Sequence, residues 1–229
     1  MQQLLKAIAV VAVVVAATGC EIAPPEPYDP AAGGWTLVEE NDFSTSVTNT
    51  SFPNLIIEGD AEAIIENGQL KYVGDSSPDD KIWLRTDYGY TNTDTAYKLY
   101  VEPKHQLGLE ESIIFFMCNR DFPGKIGASI DSSLIGLRTL DGPADQTFGD
   151  DPYPQSIDYA NAAFELIIDG SDIECRLIML DSSRVMASVT GVLTDLSYYD
   201  GHDVRLRLDC IGTVYVDNLR IYTKEPSGT

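Results

Sequence analysis

The ten residues Thr213–Tyr222, TVYVDNLRIY, decide the fold expected of this chain. β-Branched and aromatic residues dominate the stretch, which predicts a β-strand. Its two valines share one face, whereas Leu219 and Ile221 follow the opposite alternation. Because successive side chains of a strand point to opposite faces of the sheet, this change of phase predicts a β-bulge at Asp217-Asn218.

The same composition continues upstream, and no stretch after Gly34 keeps a helical period. The predicted strands are Trp35–Asp42, Asn54–Ile57, Glu62–Ile65, Gln69–Val73, Lys81–Tyr88, Thr95–Glu102, Ser112–Asn119, Ser129–Arg138, Ala162–Ile168, Ile173–Leu180, Arg184–Val189, Asp203–Cys210 and Thr213–Tyr222. Turn pairs such as Asn67-Gly68 separate several of them. Many short strands at regular spacing indicate a sandwich. The Gly-, Pro- and Asp-rich segment Asp141–Tyr159 predicts a long surface loop.

Two further motifs accompany the closing strand. Glu40–Ser44 reads ENDFS, and Glu66–Leu70 reads ENGQL. Together with the closing strand, they resemble the opening strand, the hairpin and the final strand of concanavalin A-like lectin/glucanase domains. The resemblance covers both ends of the body in the expected order, and the middle in strand pattern only. It implies an all-β, antiparallel two-sheet jelly-roll sandwich.

The same resemblance implies a structural Ca²⁺ ion that ties the first and last strands together. Carried over to this chain, its ligands are the Asp217 side chain, the Gly68 carbonyl and an oxygen of Glu40 or Asp42. Ca²⁺ takes six to eight oxygen ligands, so carboxylates and backbone carbonyls suit it. The alternative is that Asp217 and its neighbour form only a polar bulge.

The N-terminus predicts export and a lipid anchor. A lysine precedes the apolar run Ala7–Ala17, which is too short for the roughly 20 residues of a membrane span. The residues Ala-Thr-Gly-Cys at 17–20 resemble the processing site of bacterial lipoproteins. The resemblance implies cleavage before Cys20, acylation of that residue and a membrane surface facing away from the cytoplasm. An Asp in the next position implies inner-membrane retention in some lipoproteins, so Glu21 favours the outer membrane or cell surface.

Composition divides the chain into four parts. Residues 1–19 are the predicted signal peptide, 20–34 the lipidated cysteine with a Pro-rich tether, 35–224 the jelly-roll domain and 225–229 a tail. Pro-rich segments stay extended at about 3.1 Å per residue, so the tether is expected to hold the body roughly 40 Å from the membrane. We exclude the tether from the predicted fold because its composition cannot build a core.

The charge balance narrows the classes of partner. The formal net charge is −21 at pH 7. Such a polyanion repels nucleic acids and anionic lipid headgroups, so we expect no nucleic-acid binding and membrane contact only through the lipid anchor. The acidity fits either affinity for Ca²⁺ and for neutral or cationic partners, or solubility in a salty medium.

Three cysteines remain beside the lipidated one, and two of them are predicted to face the interior. Alternation directs Cys175 and Cys210 towards apolar neighbours, whereas Cys118 leaves the count odd. Two interpretations stay open. Cys175 and Cys210 form a disulfide, or both are buried free thiols that pack as small apolar groups.

Catalytic motifs of the resembled fold are missing. Its laminarinase-like enzymes carry Glu-x-Asp-x-Glu, whose spacing puts a nucleophile and an acid/base on one strand face. The nearest match here, Glu165–Asp169, has Ile167 in the middle. His105 and His202 lie outside any recognisable nucleophile motif. We therefore favour a protein that is not an enzyme.

Aromatic residues on predicted outward faces indicate sugar binding instead. Trp83, Arg85 and Tyr100 form an aromatic-basic platform if the faces of their two strands coincide, and Tyr153 and Tyr159 of the long loop then overhang it. Aromatic rings pack on sugar C–H groups while polar side chains bond the hydroxyls. The alternative is that the long loop covers Trp83 as part of a secondary core.

Three functional hypotheses follow. The leading one is a lipid-anchored, non-catalytic jelly-roll protein that binds an extracellular or envelope glycan. The second is a glycoside hydrolase or polysaccharide lyase of the same fold with an unrecognised site. The third is a structural or adhesive envelope lipoprotein that binds protein partners.

Overall fold

A computed structural model of the chain describes residues 25–43, 55–58, 62–74, 81–89, 96–109, 111–118, 125–140, 146–154, 156–194, 203–210 and 212–225. At 55–58, 81–89, 116–118, 125, 140, 203–205, 207, 209 and 210 it describes the backbone alone. The predicted signal peptide and Cys20 lie outside the described residues. Within the described ranges no helix is long and apolar enough to cross a membrane.

Strands account for most of the described chain. They are β1 (Thr36–Asn41), β2 (Leu55–Glu58), β3 (Glu62–Glu66), β4 (Gln69–Gly74), β5 (Lys81–Gly89), β6 (Ala96–Pro103), β7 (Glu111–Cys118), β8 (Lys125–Ile130), β9 (Leu134–Leu140), β10 (Thr147–Pro152), β11 (Ala162–Asp169), β12 (Asp172–Met179), β13 (Val185–Val192), β14 (Asp203–Cys210) and β15 (Gly212–Lys224). A 3₁₀ turn, Tyr159–Asn161, precedes β11.

The strands form two antiparallel sheets. The first sheet has the order β13-β12-β11-β6-β15-β4-β3, with β1 also paired to β15. The second has the order β10-β9-β8-β7-β14-β5-β2. The non-sequential neighbours show that the chain crosses repeatedly between the two sheets. This is the two-sheet jelly-roll sandwich that the sequence predicts, so the predicted fold class is confirmed.

The closing strand β15 organises the first sheet, and its bulge is where the sequence predicts it. Its first part pairs with β4, and its second part, Leu219–Thr223, pairs with β1. The register against β6 shifts between Asp217 and Arg220, and Asn218 has a φ of 50°. Asparagine is one of the few residues that tolerate this left-handed conformation. The bulge lets one long strand serve two partners in turn.

The main core lies between the sheets. Inward side chains alternate along each strand, and the rings of Phe115 and Phe164 stack across the two sheets with centroids 5.4 Å apart. Leu99, Val101 and Leu166 are buried in the same core. The alternate residues of β6, β11, β12 and β15 therefore point to the outer face of the first sheet, where the candidate site lies.

Part of the predicted long loop is a strand. β10 pairs with β9 at the edge of the second sheet. Phe148 of β10 packs over Gly191 of β13 so closely that a Cβ atom at Gly191 would lie 2.1 Å from the ring. The prediction of a loop over Asp141–Tyr159 was wrong for β10. Its glycine and aspartates are residues typical of turns, although this segment forms a short edge strand.

The predicted strand Ser129–Arg138 is also divided. β8 ends at Ile130 and β9 begins at Leu134, and the turn between them is held by Asp131. Its Oδ1 accepts hydrogen bonds from the backbone N–H groups of Ser133 at 2.9 Å and Leu134 at 3.1 Å. An aspartate that bonds the backbone two residues on is a common turn signal.

The predicted tether packs on the domain. The Tyr28 N–H donates to the Leu180 carbonyl at 2.7 Å, and the Ser183 hydroxyl donates to the Glu26 carbonyl at 2.9 Å. Residues 26–35 run over the outer face of the first sheet and are called the strap below. The expectation of a segment outside the fold was wrong for the strap, because Tyr28 reaches buried partners in the sheet.

Cys175 is a buried free thiol, so the predicted disulfide with Cys210 is not formed. Its Sγ lies 3.6 Å from the carbonyl oxygen of Gly136 in β9, in the facing sheet. Cys210 ends β14, which is three strands away from β9. At about 4.8 Å between strands this is roughly 14 Å, twice the Cα separation that a disulfide spans. Burial raises the pKa of the Cys175 thiol to about 12.

Candidate functional site

A groove of about 820 Å³ opens on the outer face of the first sheet. It runs over β11, β12 and β13 and ends against the strap. Its lining residues are Trp35, Ile167, Asp169, Asp172, Ile173, Glu174, Arg176, Thr190, Gly191, Val192 and Lys224. One large aromatic ring, apolar side chains and several charged or hydroxyl groups therefore meet in one concave surface.

Trp35 forms the end wall of the groove. It is the residue just before β1, and it is half-buried. The ammonium groups of Lys98 and Lys224 lie 4.7 Å and 4.6 Å from its ring centroid. Both lysines rise from neighbouring strands of the sheet, so cation–π attraction fixes the indole above β6 and β15.

The floor of the groove carries hydrogen-bonding side chains in register. Thr190, Glu174 and Ile167 are successive partners across β13, β12 and β11, and the row continues under the strap to Lys98 of β6. Glu174 accepts a hydrogen bond from the Ser188 hydroxyl at 2.8 Å. Thr190 and Asp172 are exposed, and Val192 is 58% exposed. Carboxylate and hydroxyl groups are thus presented to solvent beside an apolar surface.

Under the strap, the same face is closed by a buried polar cluster. Glu165 is fully buried and accepts hydrogen bonds from the Tyr28 hydroxyl at 2.5 Å and from Arg176 Nε at 2.8 Å. Burial, and then the neighbouring Glu165 carboxylate, raises the pKa of Tyr28. The phenol therefore keeps its proton and donates a hydrogen bond to Glu165.

Lys98 joins this cluster from β6. It is 1% exposed, and its Nζ donates to the Pro30 carbonyl at 2.6 Å. Burial lowers the pKa of Lys98 to about 8. Tyr28 and Trp35 pack against the buried Tyr100 and Tyr222, so the strap covers an aromatic layer as well as charges.

The structure does not bring the predicted sugar platform together. Tyr100 lies on the outer face of the first sheet, where it is 2% exposed and its hydroxyl donates to Glu102 at 2.8 Å. Trp83 and Arg85 belong to β5 of the second sheet, where they pair with Arg207 and Arg205. Residues of two different sheets cannot form one face, which is why these predicted partners separate.

Tyr153 and Tyr159 do not overhang an outer face. They are 5% and 3% exposed and belong to the main core between the sheets. Their hydroxyl oxygens are 2.8 Å apart, and the Tyr153 hydroxyl also donates to the Asp131 carbonyl. These two tyrosine rings therefore pack in the interior and are not available for sugar binding on an outer face.

The four predicted calcium ligands lie near one corner of the first sheet without forming a cage. Glu40 accepts a hydrogen bond from Arg220 at 2.6 Å, and Lys104 Nζ lies 3.8 Å from Asp217. Gly68 is in the turn between β3 and β4, and Asp42 follows β1. No group of three or more His, Cys, Asp or Glu side chains in the described part of the chain is arranged to hold a metal.

The pKa values of the carboxyl groups at this corner reflect their burial and their contacts with Lys104. Burial raises the pKa of Asp217, and the Glu102 and Asp42 carboxylates add to the effect. Burial alone would raise the pKa of Glu102, but hydrogen bonds from Lys104 and Tyr100 lower it. In this structure Lys104 supplies the positive charge beside these two carboxylates, and the calcium site stays a prediction.

Sequence reasoning missed the groove. Trp35 was assigned to a predicted strand without a role, and Asp172, Glu174 and Thr190 were not singled out. Their alternation with buried Ile173 and Cys175 was a usable signal, because it places them on the outer face of a hairpin. Nothing in the sequence showed that the strap and Trp35 cross that hairpin.

Comparison with solved structures places the chain in the concanavalin A-like jelly-roll class of folds. SCLam, a non-specific endo-β-1,3(4)-glucanase from family GH16, is 13% identical with a TM-score of 0.57, covering 87% of this chain and 94% of its own. The endo-β-1,3-glucanase from Pyrococcus furiosus is 13% identical with a TM-score of 0.55, covering 85% and 96%.

A lectin gives a similar result. Lectin I from Ulex europaeus is 14% identical with a TM-score of 0.54, covering 77% of this chain and 95% of its own. At such low identity these likenesses show the fold alone. No protein-family model and no curated protein matches the sequence.

Proposed function

We propose that the protein binds carbohydrate in the groove beside Trp35, without catalysis, and displays this groove from a lipid anchor at the outer membrane or cell surface. The observation that carries the proposal is the groove itself. An indole ring, apolar Ile167 and Val192, and polar Glu174 and Thr190 line one open cavity of about 820 Å³. Aromatic surface with a few convergent polar groups is the usual composition of a sugar site.

The fold is consistent with this proposal. Solved proteins that share the fold include a glucanase that acts on β-1,3(4)-glucan and a lectin crystallised with a methyl fucoside. A carbohydrate-related function is thus common to both kinds of neighbour, whereas hydrolysis belongs to only one of them.

The two carboxylates nearest to the catalytic pattern of the fold, Glu165 and Asp169, are engaged with other side chains. Retaining glycosidases need two carboxyl groups about 5–5.5 Å apart that both reach the sugar. Glu165 is sealed beneath Tyr28 and held by Arg176, and Asp169 is paired with Lys224 at 3.1 Å. These two carboxylates support the structure of the face.

Binding is tested on a glycan array with the full mature chain and two tryptophan variants. We expect Trp35→Ala to lose on the order of tenfold or more in affinity for the wild-type hits. Loss of an aromatic platform costs a stacked nucleobase about 1–3 kcal/mol, and we expect a loss of the same order for a pyranose ring. Trp83→Ala, in the other sheet, is the matched control and keeps its affinity. Binding that depends on Trp83 and not on Trp35 would overturn this assignment of the site.

The proposal that binding occurs without catalysis is tested on the same glycans. Each hit is incubated with the protein and assayed for new reducing ends and for unsaturated products. We expect neither. Turnover that Trp35→Ala abolishes would make the groove an active site.

The anchor is tested separately by metabolic labelling with a fatty acid. We expect label on the wild-type protein in the membrane fraction, and neither label nor membrane association for Cys20→Ser. Soluble wild-type protein without label would remove the anchor while leaving the groove untouched.

A further inference from the structure

The charge of the groove specifies the class of glycan. Three carboxylates, Asp169, Asp172 and Glu174, line it against two cations, Arg176 and Lys224. The whole chain carries a net charge of −21. Both the local and the long-range potential therefore disfavour a negatively charged ligand.

Both cations of the groove are already paired with carboxylates of this chain. Arg176 donates from Nε to buried Glu165 at 2.8 Å, and its Nη1 lies 3.9 Å from Glu174. Lys224 pairs with Asp169 at 3.1 Å. Sulfate and carboxylate groups are recognised best by the planar fork of an arginine, and here that fork is already engaged.

The remaining groups suit hydroxyls. Carboxylate oxygens only accept hydrogen bonds, and the Thr190 hydroxyl both donates and accepts. Asp172 and Glu174 can each accept from two neighbouring sugar hydroxyls while the pyranose ring packs against Trp35. We infer that the groove is selective for uncharged, hydroxyl-rich glycans over sulfated and uronate-containing glycans, an inference that rests on the proposed function.

Selectivity is read from one glycan array that carries neutral, sulfated and uronate-containing glycans together, at salt concentrations of about 0.1 M and 1 M. The screening length falls from about 10 Å to 3 Å over this range. We expect neutral glycans as the hits, with Trp35-dependent affinities that salt does not change. Trp35-dependent binding of an anionic glycan at equal affinity would overturn the selectivity but keep the glycan site. An array without any hit would overturn the proposed function itself.

A charge reversal tests whether the carboxylates of the groove cause the rejection of anionic glycans. The double variant Asp172→Lys/Glu174→Lys should gain at least tenfold in affinity for the sulfated glycans at low salt. The matched control Glu62→Lys/Asp181→Lys changes the net charge equally at two exposed positions outside the groove. Equal gains in both variants would assign the rejection of anions to overall charge and contradict a role of the groove.

Discussion

The outer face of the first sheet has two halves with opposite characters. The covered half holds Lys98, Glu165 and Tyr100 beneath the strap, all buried and hydrogen-bonded. The open half presents Asp172 and Thr190 to solvent in the groove. β11 contributes to both halves, with Glu165 in the covered half and Ile167 and Asp169 in the groove.

The comparison shows when polar side chains on this face stabilise the fold instead of remaining open to a ligand. Tyr28 lies 137 positions before Glu165 in the chain, yet it supplies the partner that allows the carboxylate to be buried. A buried charge is tolerated only when it is paired and hydrogen-bonded, so the strap turns one half into scaffold. No part of the chain that the structure describes covers the other half in this way, and its groove is open.

The largest expected effect is the loss of the buried carboxylate. Glu165→Ala leaves Arg176 without its partner and Tyr28 without its acceptor, so we expect the free energy of unfolding to fall by about 3 kcal/mol. Urea unfolding measures it. Glu174→Ala, the same change on the open half, should lose about 0.5 kcal/mol. Equal losses of unfolding free energy in the two variants would contradict the assignment of a stabilising role to the covered half alone.

A smaller effect is expected for the strap. Tyr28→Phe removes one hydrogen bond to a charged group and should lower the free energy of unfolding by about 1.5 kcal/mol. The loss should vanish in a Glu165→Ala background, because the two side chains form one contact. Equal losses in both backgrounds would show that the Tyr28 hydroxyl stabilises the protein by some other route.

The covered half should also give the protein a pH dependence. Lys98 has a pKa near 8 in the folded state against 10.5 normally, so its charge destabilises the fold below pH 8. Between pH 8 and 10 the unfolded state binds more protons, and stability should rise by up to about 1.4 kcal/mol per pH unit from this group. Lys98→Met should remove that rise in urea melts at pH 7–10. An unchanged slope would contradict the burial of a charged Lys98.

The smallest effect is expected from calcium. Because Lys104 and Arg220 already neutralise Asp217 and Glu40, we expect the same melting midpoint in Ca²⁺ and in EDTA. A ligand that binds only the folded state must raise the midpoint. A rise with Ca²⁺ that Asp217→Asn abolishes would restore the calcium site implied by the family resemblance.

The sequence predicted the elements better than their assembly. Alternation identified β15 and its bulge at Asp217-Asn218, because both depend on local geometry. Alternation cannot say which sheet a strand joins, so Trp83 and Tyr100 were placed together although they lie in different sheets. Pro-rich composition likewise concealed that Tyr28 finds partners in β11 and β12.

The central claim is that ligand binds the open half of the first sheet. Hydrogen–deuterium exchange of the full chain, with and without the strongest neutral glycan of the array, tests it most directly. The account predicts slower exchange in β12, β13 and the segment around Trp35, with β5 unchanged. Protection confined to β5, which carries Trp83, would contradict it.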